Sequence, residues 1–322
     1  MFEVYDRWPE ISKEQFEIDL GEIDYDGIFH IVFAGMGGSG AISDIFSSIL
    51  SKTNIHVDVV KGYHLPRTVN SETLVVATSI SGNTAETLSI LNSALNTSSK
   101  VVSFSSGGKV EQFCAKKGLK YWKVSMQHSP RASFVSFLYA MLGVLRPIIP
   151  IQKADVVESI EQLKLTRKKI SSENLNETNP SLKLSQWITD IPVIYYPWGL
   201  QSAAIRFKNS LQENAKHSAM IEDVIETCHN GIVTWSKPSQ LKPILIQGED
   251  DHIQTKERWK ILKEFFVEKN IECWDVKSVQ GNILSKLINL IYLLDFSTIY
   301  LAAISKIDPT PIDPIDYIKS RL

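Results

Sequence analysis

Two short stretches carry residue types that could hold an anion. In FHIVFAGMGGSGAISDIFSSIL, residues 29–50, four glycines fall within positions 35–40. An apolar run at 29–34 precedes them, and Ala41, Ile42, Ile45, Phe46, Ile49 and Leu50 then recur at helical spacing. A turn nearly free of side chains lets backbone N–H groups close on a ligand, and the first turn of the next helix adds unpaired donors and a positive dipole end. Gly37, Gly38 and Ser39 are the candidate contacts, and a phosphate suits them. In the second stretch, Thr78, Ser79, Ser81 and Thr84 set four hydroxyls around Gly82, between LVVAT and AETLSILNSAL. Hydroxyls at a helix start suit a phosphomonoester, whose oxygens each accept several hydrogen bonds.

Other readings of the same residues stay open. Gly35, Gly37 and Gly40 also spell the dinucleotide fingerprint G-x-G-x-x-G, which wants an acidic residue ending the next strand; the candidate, Asp58, lies inside IHVDVV. A purely structural turn and, for Thr84, an ordinary helix cap are the remaining alternatives.

The elements that must position these loops follow from periodicity. Strands are expected at 29–34, 55–60, 73–78, 100–104 and 120–124, and helices at 40–51, 84–96, 109–117 and 131–145 after a helical lead-in at 9–20. Residues 152–188 read as a helical connector, after which the opening pattern returns as a strand at 191–196, a turn at 197–199 and a helix at 200–213. The stretch from Lys242 mirrors that from Thr73, and IECWDV with the apolar helix at 281–305 mirrors YWKV with the helix from Arg131. The expected fold is therefore α/β, with two doubly wound parallel-sheet domains related by internal duplication, at 1–150 and 151–322. The turns of the second copy, YPWGLQ and QGEDDH, are bulky or acidic, so one phosphate site is expected, in the first copy.

Composition excludes several classes. A net charge of −2 without interleaved basic and aromatic residues gives no field for nucleic acid. Three dispersed cysteines supply neither a disulfide framework nor a CxxC pair, which fits a reducing cytoplasm. The N-terminus lacks a signal-peptide pattern. The apolar stretches at 134–145 and 287–304 are ended by Arg146 and interrupted by Asp295, so buried helices are expected and no membrane partner. Seven histidines include no HExxH or HxH pair, and neither metal nor cofactor is predicted.

GMGGSG followed by SISGNTAET resembles the SIS sugar-isomerase fold. SPRASF around Arg131, QENAK at 212–216, ETCHNGIVTW around His229 and the tail IDYIKSRL resemble, across the whole chain, the archaeal-type bifunctional phosphoglucose/phosphomannose isomerases. The resemblance implies a phosphosugar substrate whose phosphate meets Gly37, Gly38, Ser39, Ser79, Ser81 and Thr84. It implies Glu213 as the base that moves a proton between C1 and C2, and Arg131 as the cation beside the enediolate. It further implies His229 as a ring opener donated to the neighbouring subunit of a homodimer, and Lys319 as its assistant. Gly231 departs from the family, where an acidic residue is expected after His-Asn. Chemistry supports the set independently, because aldose-ketose isomerisation needs a carboxylate, a cation and an acid/base group. An isomerase restricted to one hexose phosphate and a non-catalytic phosphosugar sensor are the alternatives.

Overall fold

Short β-branched runs alternate with helical stretches along the chain, and in the computed structural model, which describes residues 1–321, they form an α/β fold with parallel sheets. Leu322, the end of the expected second domain, lies outside the described residues. The first elements are α1 (Phe2–Asp6), α2 (Trp8–Glu17), β1 (His30–Ala34), α3 (Gly38–Leu50), β2 (His56–Val60), β3 (Thr73–Ser79), α4 (Ala85–Ala94) and β4 (Lys100–Ser105). Then come α5 (Gly108–Lys117), β5 (Lys120–Lys123), α6 (Phe134–Val144), α7 (Lys153–Ile170), α8 (Pro180–Trp187), β6 (Ile191–Tyr196) and α9 (Gln201–Asn214). The last are β7 (Met220–Asp223), α10 (Val224–Thr227), β8 (Leu241–Gln247), α11 (Ile253–Glu268), β9 (Trp274–Lys277), α12 (Ile283–Ile304) and α13 (Asp313–Lys319).

One compact unit comprises Arg7–Glu161 with Asn282–Leu284. Its five strands are all parallel, in the order β2-β1-β3-β4-β5. One face buries Val32, Ala34, Val75, Ala77 and Val101 against Ile90, Leu91 and Ala94 of α4 and Val110 and Cys114 of α5. The opposite face carries Phe33, stacked on Phe46 of α3 with ring centroids 4.8 Å apart, and Thr78, whose hydroxyl reaches Met141 of α6. Strands covered on both faces read as continuous apolar runs, which is why HIVFA and TLVVATS show no alternation.

The other unit comprises Met1–Asp6, Gln162–Gly281 and the chain from Ser285 onward. Its four parallel strands run β7-β6-β8-β9. Val193, Tyr195 and Leu245 pack with Trp235 and with Trp259, Leu262 and Phe266 of α11. β7 falls where the sequence reading expects no strand, since MIED offers no apolar run.

The expected cut at 150 differs from these units at both ends. Met1–Asp6 joins the second unit because Tyr5 is fully buried there, edge-on to Phe296, with its carbonyl accepting the Tyr292 hydroxyl at 2.6 Å. α7 is shared, the first unit ending at Glu161 within it. α12 is long and apolar enough to cross a membrane, yet 83% of its apolar window is buried inside the protein, as in a core helix.

Candidate active site

In the first unit the strand order turns back between β1 and β3, since β2 lies on one side of β1 and β3 on the other. Ligands of open α/β sheets bind beyond the carboxyl ends of the strands at such a switch point. Both loops singled out by their residue types leave the sheet there. The first runs from β1 into α3 through Gly37, the N-cap, at φ 53° and ψ −120°, a backbone that a side chain would strain. Among the described residues the N–H groups of Gly37 and Gly38 meet no acceptor, as in an anion-binding helix start.

The second loop is locked to the first. Ile80 N–H donates to Ser39 Oγ at 3.0 Å, which leaves the Ser39 hydroxyl proton for another acceptor. Ser79 Oγ and Thr84 Oγ1 are 2.8 Å apart. Thr84 stands at the N-cap of α4 without making a side-chain cap bond, so its hydroxyl belongs to this pair and the ordinary helix-cap reading fails. Ser81 Oγ accepts the Asn83 N–H at 3.4 Å.

A third loop, missed at the sequence level, completes the edge. Ser105, Ser106 and Gly107 link β4 to α5, repeating the strand, hydroxyl, glycine and helix order of the second loop. Ser106 Oγ donates to the Ile80 carbonyl at 2.6 Å, and Val110 N–H donates to the Gly82 carbonyl at 2.9 Å. At Gly82 (φ 71°) a Cβ would collide with the Gly107 carbonyl, so the two loops touch backbone to backbone.

Arg131 lies in the turn before α6, three residues short of the helix start, where the sequence reading begins the helix at Arg131 itself. It is 3% exposed, and a Cβ on Gly38 would come 3.0 Å from the neighbouring Pro130 carbonyl. The first turn of α3 therefore packs directly on the segment bearing Arg131. Ser133 secures that segment by accepting Gln127 N–H and donating to the Ser129 carbonyl, both at 2.8 Å. Lys61 pairs with Asp44 of α3 at 2.6 Å; burial raises the Asp44 carboxyl above its ordinary range despite Lys61. The structure thus gathers Gly37, Gly38, Ser39, Ser79, Ser81, Thr84 and Arg131 in one unit. Asp58 is mid-strand, level with Val32, with its carboxylate 2.9 Å from His30 Nε2, and it is not placed for the ribose of a dinucleotide.

Glu213, His229 and Lys319 belong to the second unit. Glu213 is half-buried at the penultimate position of α9. The helix end is fixed around it. Asn214 donates to Thr298 Oγ1 at 2.8 Å, and Lys216, at φ 54°, donates to the carbonyls of Glu213 at 2.6 Å and Pro311 at 2.8 Å. Further back on α9, Arg206 donates to Asp295 of α12 at 2.9 and 2.7 Å and Ser210 donates to the same carboxylate at 2.6 Å, all fully buried.

His229 follows α10, is exposed, and its ring makes no hydrogen bond among the described residues. At Gly231 a Cβ would collide with the Glu222 carboxylate, which accepts the Thr227 hydroxyl at 2.7 Å. A carboxylate from β7 thus already fills the space beside Gly231, where the resemblance leads one to expect an acidic residue. Lys319 is the last residue of α13 and exposed. The loop after β8 is closed by its own acid: Asp251 accepts Gly248 N–H at 3.0 Å and Trp259 Nε1–H at 2.9 Å. A carboxylate there disfavours a second phosphate site.

Comparison with known proteins finds relatives along the whole chain. The model of the bacterial phospho-glucose isomerase C-terminal SIS domain matches residues 177–322. A bifunctional phosphoglucose/phosphomannose isomerase of Caldicellulosiruptor bescii is 31% identical over 341 residues, covering 100% of this chain and 98% of the relative. One from Aquifex aeolicus is 30% identical, covering 98% of this chain and 94% of the relative. Among solved structures, a hypothetical protein of Thermus thermophilus matches with a TM-score of 0.75 at 15% identity, over 98% of this chain and 88% of that one, a likeness of fold alone.

Proposed function

This chain belongs to the family of bifunctional phosphoglucose/phosphomannose isomerases, and we propose that it interconverts glucose 6-phosphate and mannose 6-phosphate with fructose 6-phosphate. One observation carries the reading beyond the family likeness: the glycine loop and the hydroxyl loop meet at the switch point of one sheet, tied by the Ile80–Ser39 bond. Three helix starts and several hydroxyls suit a phosphate and leave no part for a nicotinamide.

The phosphate is held by the N–H groups of Gly37 and Gly38 and by Ser39, Ser79, Ser81 and Thr84. Glu213 takes the proton from C2 of the open aldose; the electron pair becomes the C1–C2 double bond of a cis-enediolate, with Arg131 neutralising the developing oxyanion. Passage of the O2 hydroxyl proton to O1 and return of the carbon-bound proton to C1 give the ketose. Reprotonation on either face of C2 yields both epimers from one intermediate. His229, donated to the site of the partner chain in a homodimer, opens the ring with Lys319; its exposed, unbonded ring supports the donation. We read the chain as two SIS domains related by duplication, 1–150 and 151–322, supported by the shared strand order in which the second strand flanks the first and the third lies opposite. A cytoplasmic setting fits three unpaired cysteines.

A coupled assay with each of the three sugar phosphates, with and without EDTA, tests the function. Turnover of all three is expected, unchanged by the chelator, because Arg131 and Glu213 leave a Lewis acid no assigned role. Activity that disappears in EDTA and returns with zinc would overturn the mechanism. Binding without turnover would instead favour a sensor, and turnover of one aldose an isomerase of narrower range.

Replacing Ser79 and Ser81 together by alanine tests the phosphate loop. Each hydroxyl bonded to a charged acceptor is worth roughly 1.5–3 kcal/mol where water is excluded. KM for the sugar phosphate should rise steeply. A folded variant that keeps the original KM would reduce these serines to turn formers.

A further inference from the structure

At the amino end of the first unit's sheet, away from the phosphate loops, three side chains face one another: His30 opening β1, His56 opening β2, and Asp58 two residues further along β2. Strand geometry dictates the meeting. His30 and His56 are partners in the parallel register, and residues two apart on a strand share a face, so all three project from the same face. Asp58 Oδ2 lies 2.9 Å from His30 Nε2 and 3.7 Å from His56 Nε2, and the three ligand atoms lie within 4.8 Å of one another. A tetrahedral ion with bonds of about 2.0–2.1 Å has ligand atoms about 3.3 Å apart, so the 2.9 and 3.7 Å separations already bracket its geometry and the widest pair has to close by roughly 1.5 Å, a side-chain rotation within reach of the exposed His56.

The surroundings also fit. His30 is 7% exposed, and its other ring nitrogen, Nδ1, lies 3.1 Å from Thr73 Oγ1. Thr73 is itself fixed, accepting the Asn70 N–H at 3.0 Å with its hydroxyl 3.3 Å from Asn70 Oδ1. When that hydroxyl donates to Asn70, Nδ1–H donates to Thr73, and the Nε2 lone pair points at a carboxylate. In that tautomer Nε2 offers its lone pair to a cation lying between it and the carboxylate. A metal-bound histidine is commonly oriented by such a hydrogen bond on its second nitrogen. The His56 side chain is 67% exposed, which leaves an approach from solvent and a fourth position for water.

We infer that His30, His56 and Asp58 form a binding site for a divalent transition ion of the zinc class, bridging β1 and β2. Two imidazoles and one carboxylate suit zinc, whereas magnesium and calcium prefer oxygen alone. The site is structural: at about 3.3 Å per residue the five residues of β1 separate it from the phosphate loops by roughly 15 Å. The inference stands apart from the proposed isomerase activity, which a chelator leaves intact.

The test uses the full chain freed of metal with chelator and titrated with zinc chloride by calorimetry, with thermal unfolding measured in parallel. One equivalent should bind and raise Tm. His56→Ala, at an exposed position that should not disturb folding, should abolish binding and the Tm rise, and Asp58→Asn should weaken both. Thr73→Val should weaken zinc by about 10–100-fold while leaving one equivalent bound. No zinc uptake by the wild-type chain, or uptake that persists unchanged in His56→Ala, would overturn the inference and leave His30 and Asp58 as an ordinary hydrogen-bonded pair.

Discussion

Glu213→Gln should lower kcat for glucose 6-phosphate and mannose 6-phosphate together, by about 10²–10⁴-fold, the usual contribution of a positioned general base. The substitution keeps the shape of the side chain and removes its basicity. It also leaves Lys216 in place, because that ammonium bonds the backbone carbonyls of Glu213 and Pro311. Binding of the sugar phosphate should survive, since the phosphate loops are untouched; a change in KM without a change in kcat would contradict the role. The effect must fall on both hexoses, because one proton transfer at C2 serves both epimers. If mannose turnover survived the loss of glucose turnover, two bases would be at work and a single enediolate would be excluded.

Asp295→Ala should cost about 3–5 kcal/mol of stability, measured by denaturant unfolding. Burial opposes the charge on Arg206, but Asp295, by charge and hydrogen bond, together with Tyr5 and Glu213 outweighs it and holds the guanidinium more firmly protonated than usual. Removing the carboxylate takes from that buried cation its double hydrogen bond and takes the acceptor from Ser210 as well. Replacing both partners by apolar residues of similar volume should restore most of the loss, because neither charge then remains unpaired. α9 carries Glu213, and the same pair anchors α9 to α12, so the single variant should also lose activity before it unfolds. Stability of Asp295→Ala equal to wild type would mean that water reaches Arg206 and that the pair does not fix the helix.

Local chemistry is legible in the sequence, and long-range geometry is not. The first loop can be read because a β-branched run, four glycines and a helical repeat each point the same way within 22 residues. The third loop, at 105–108, carries the same signal as the second, and hydroxyls next to glycines after an apolar run could have found it. Thr84 misleads in the other direction: an N-cap position invites a cap, but its hydroxyl is drawn to Ser79 instead. Asp295 reads as an interruption of an apolar helix and is the partner of an arginine 89 residues away. His56 and Asp58, two apart, can be paired on a strand face, whereas His30 joins them only through the register of β1 on β2. Gly231 reads as a departure from a pattern, and only the tertiary structure shows the Glu222 carboxylate filling the space beside it. The compact units depart from a division at 150 for the same reason, since nothing near Tyr5 in sequence announces its burial against Phe296.

At the centre of the proposed mechanism is a composite site in which Glu213 of one chain would work with His229 of another on both hexose phosphates. The direct measurement mixes Glu213→Gln with His229→Ala, each inactive on ring-closed substrate, under verified subunit exchange. A mixed dimer has one site with both groups intact and one with neither, so it should recover up to about half the activity of a wild-type dimer, on glucose 6-phosphate and mannose 6-phosphate alike. If both variants are folded and exchange is complete, yet the mixture stays inactive, His229 does not serve the partner's site and the shared mechanism is wrong.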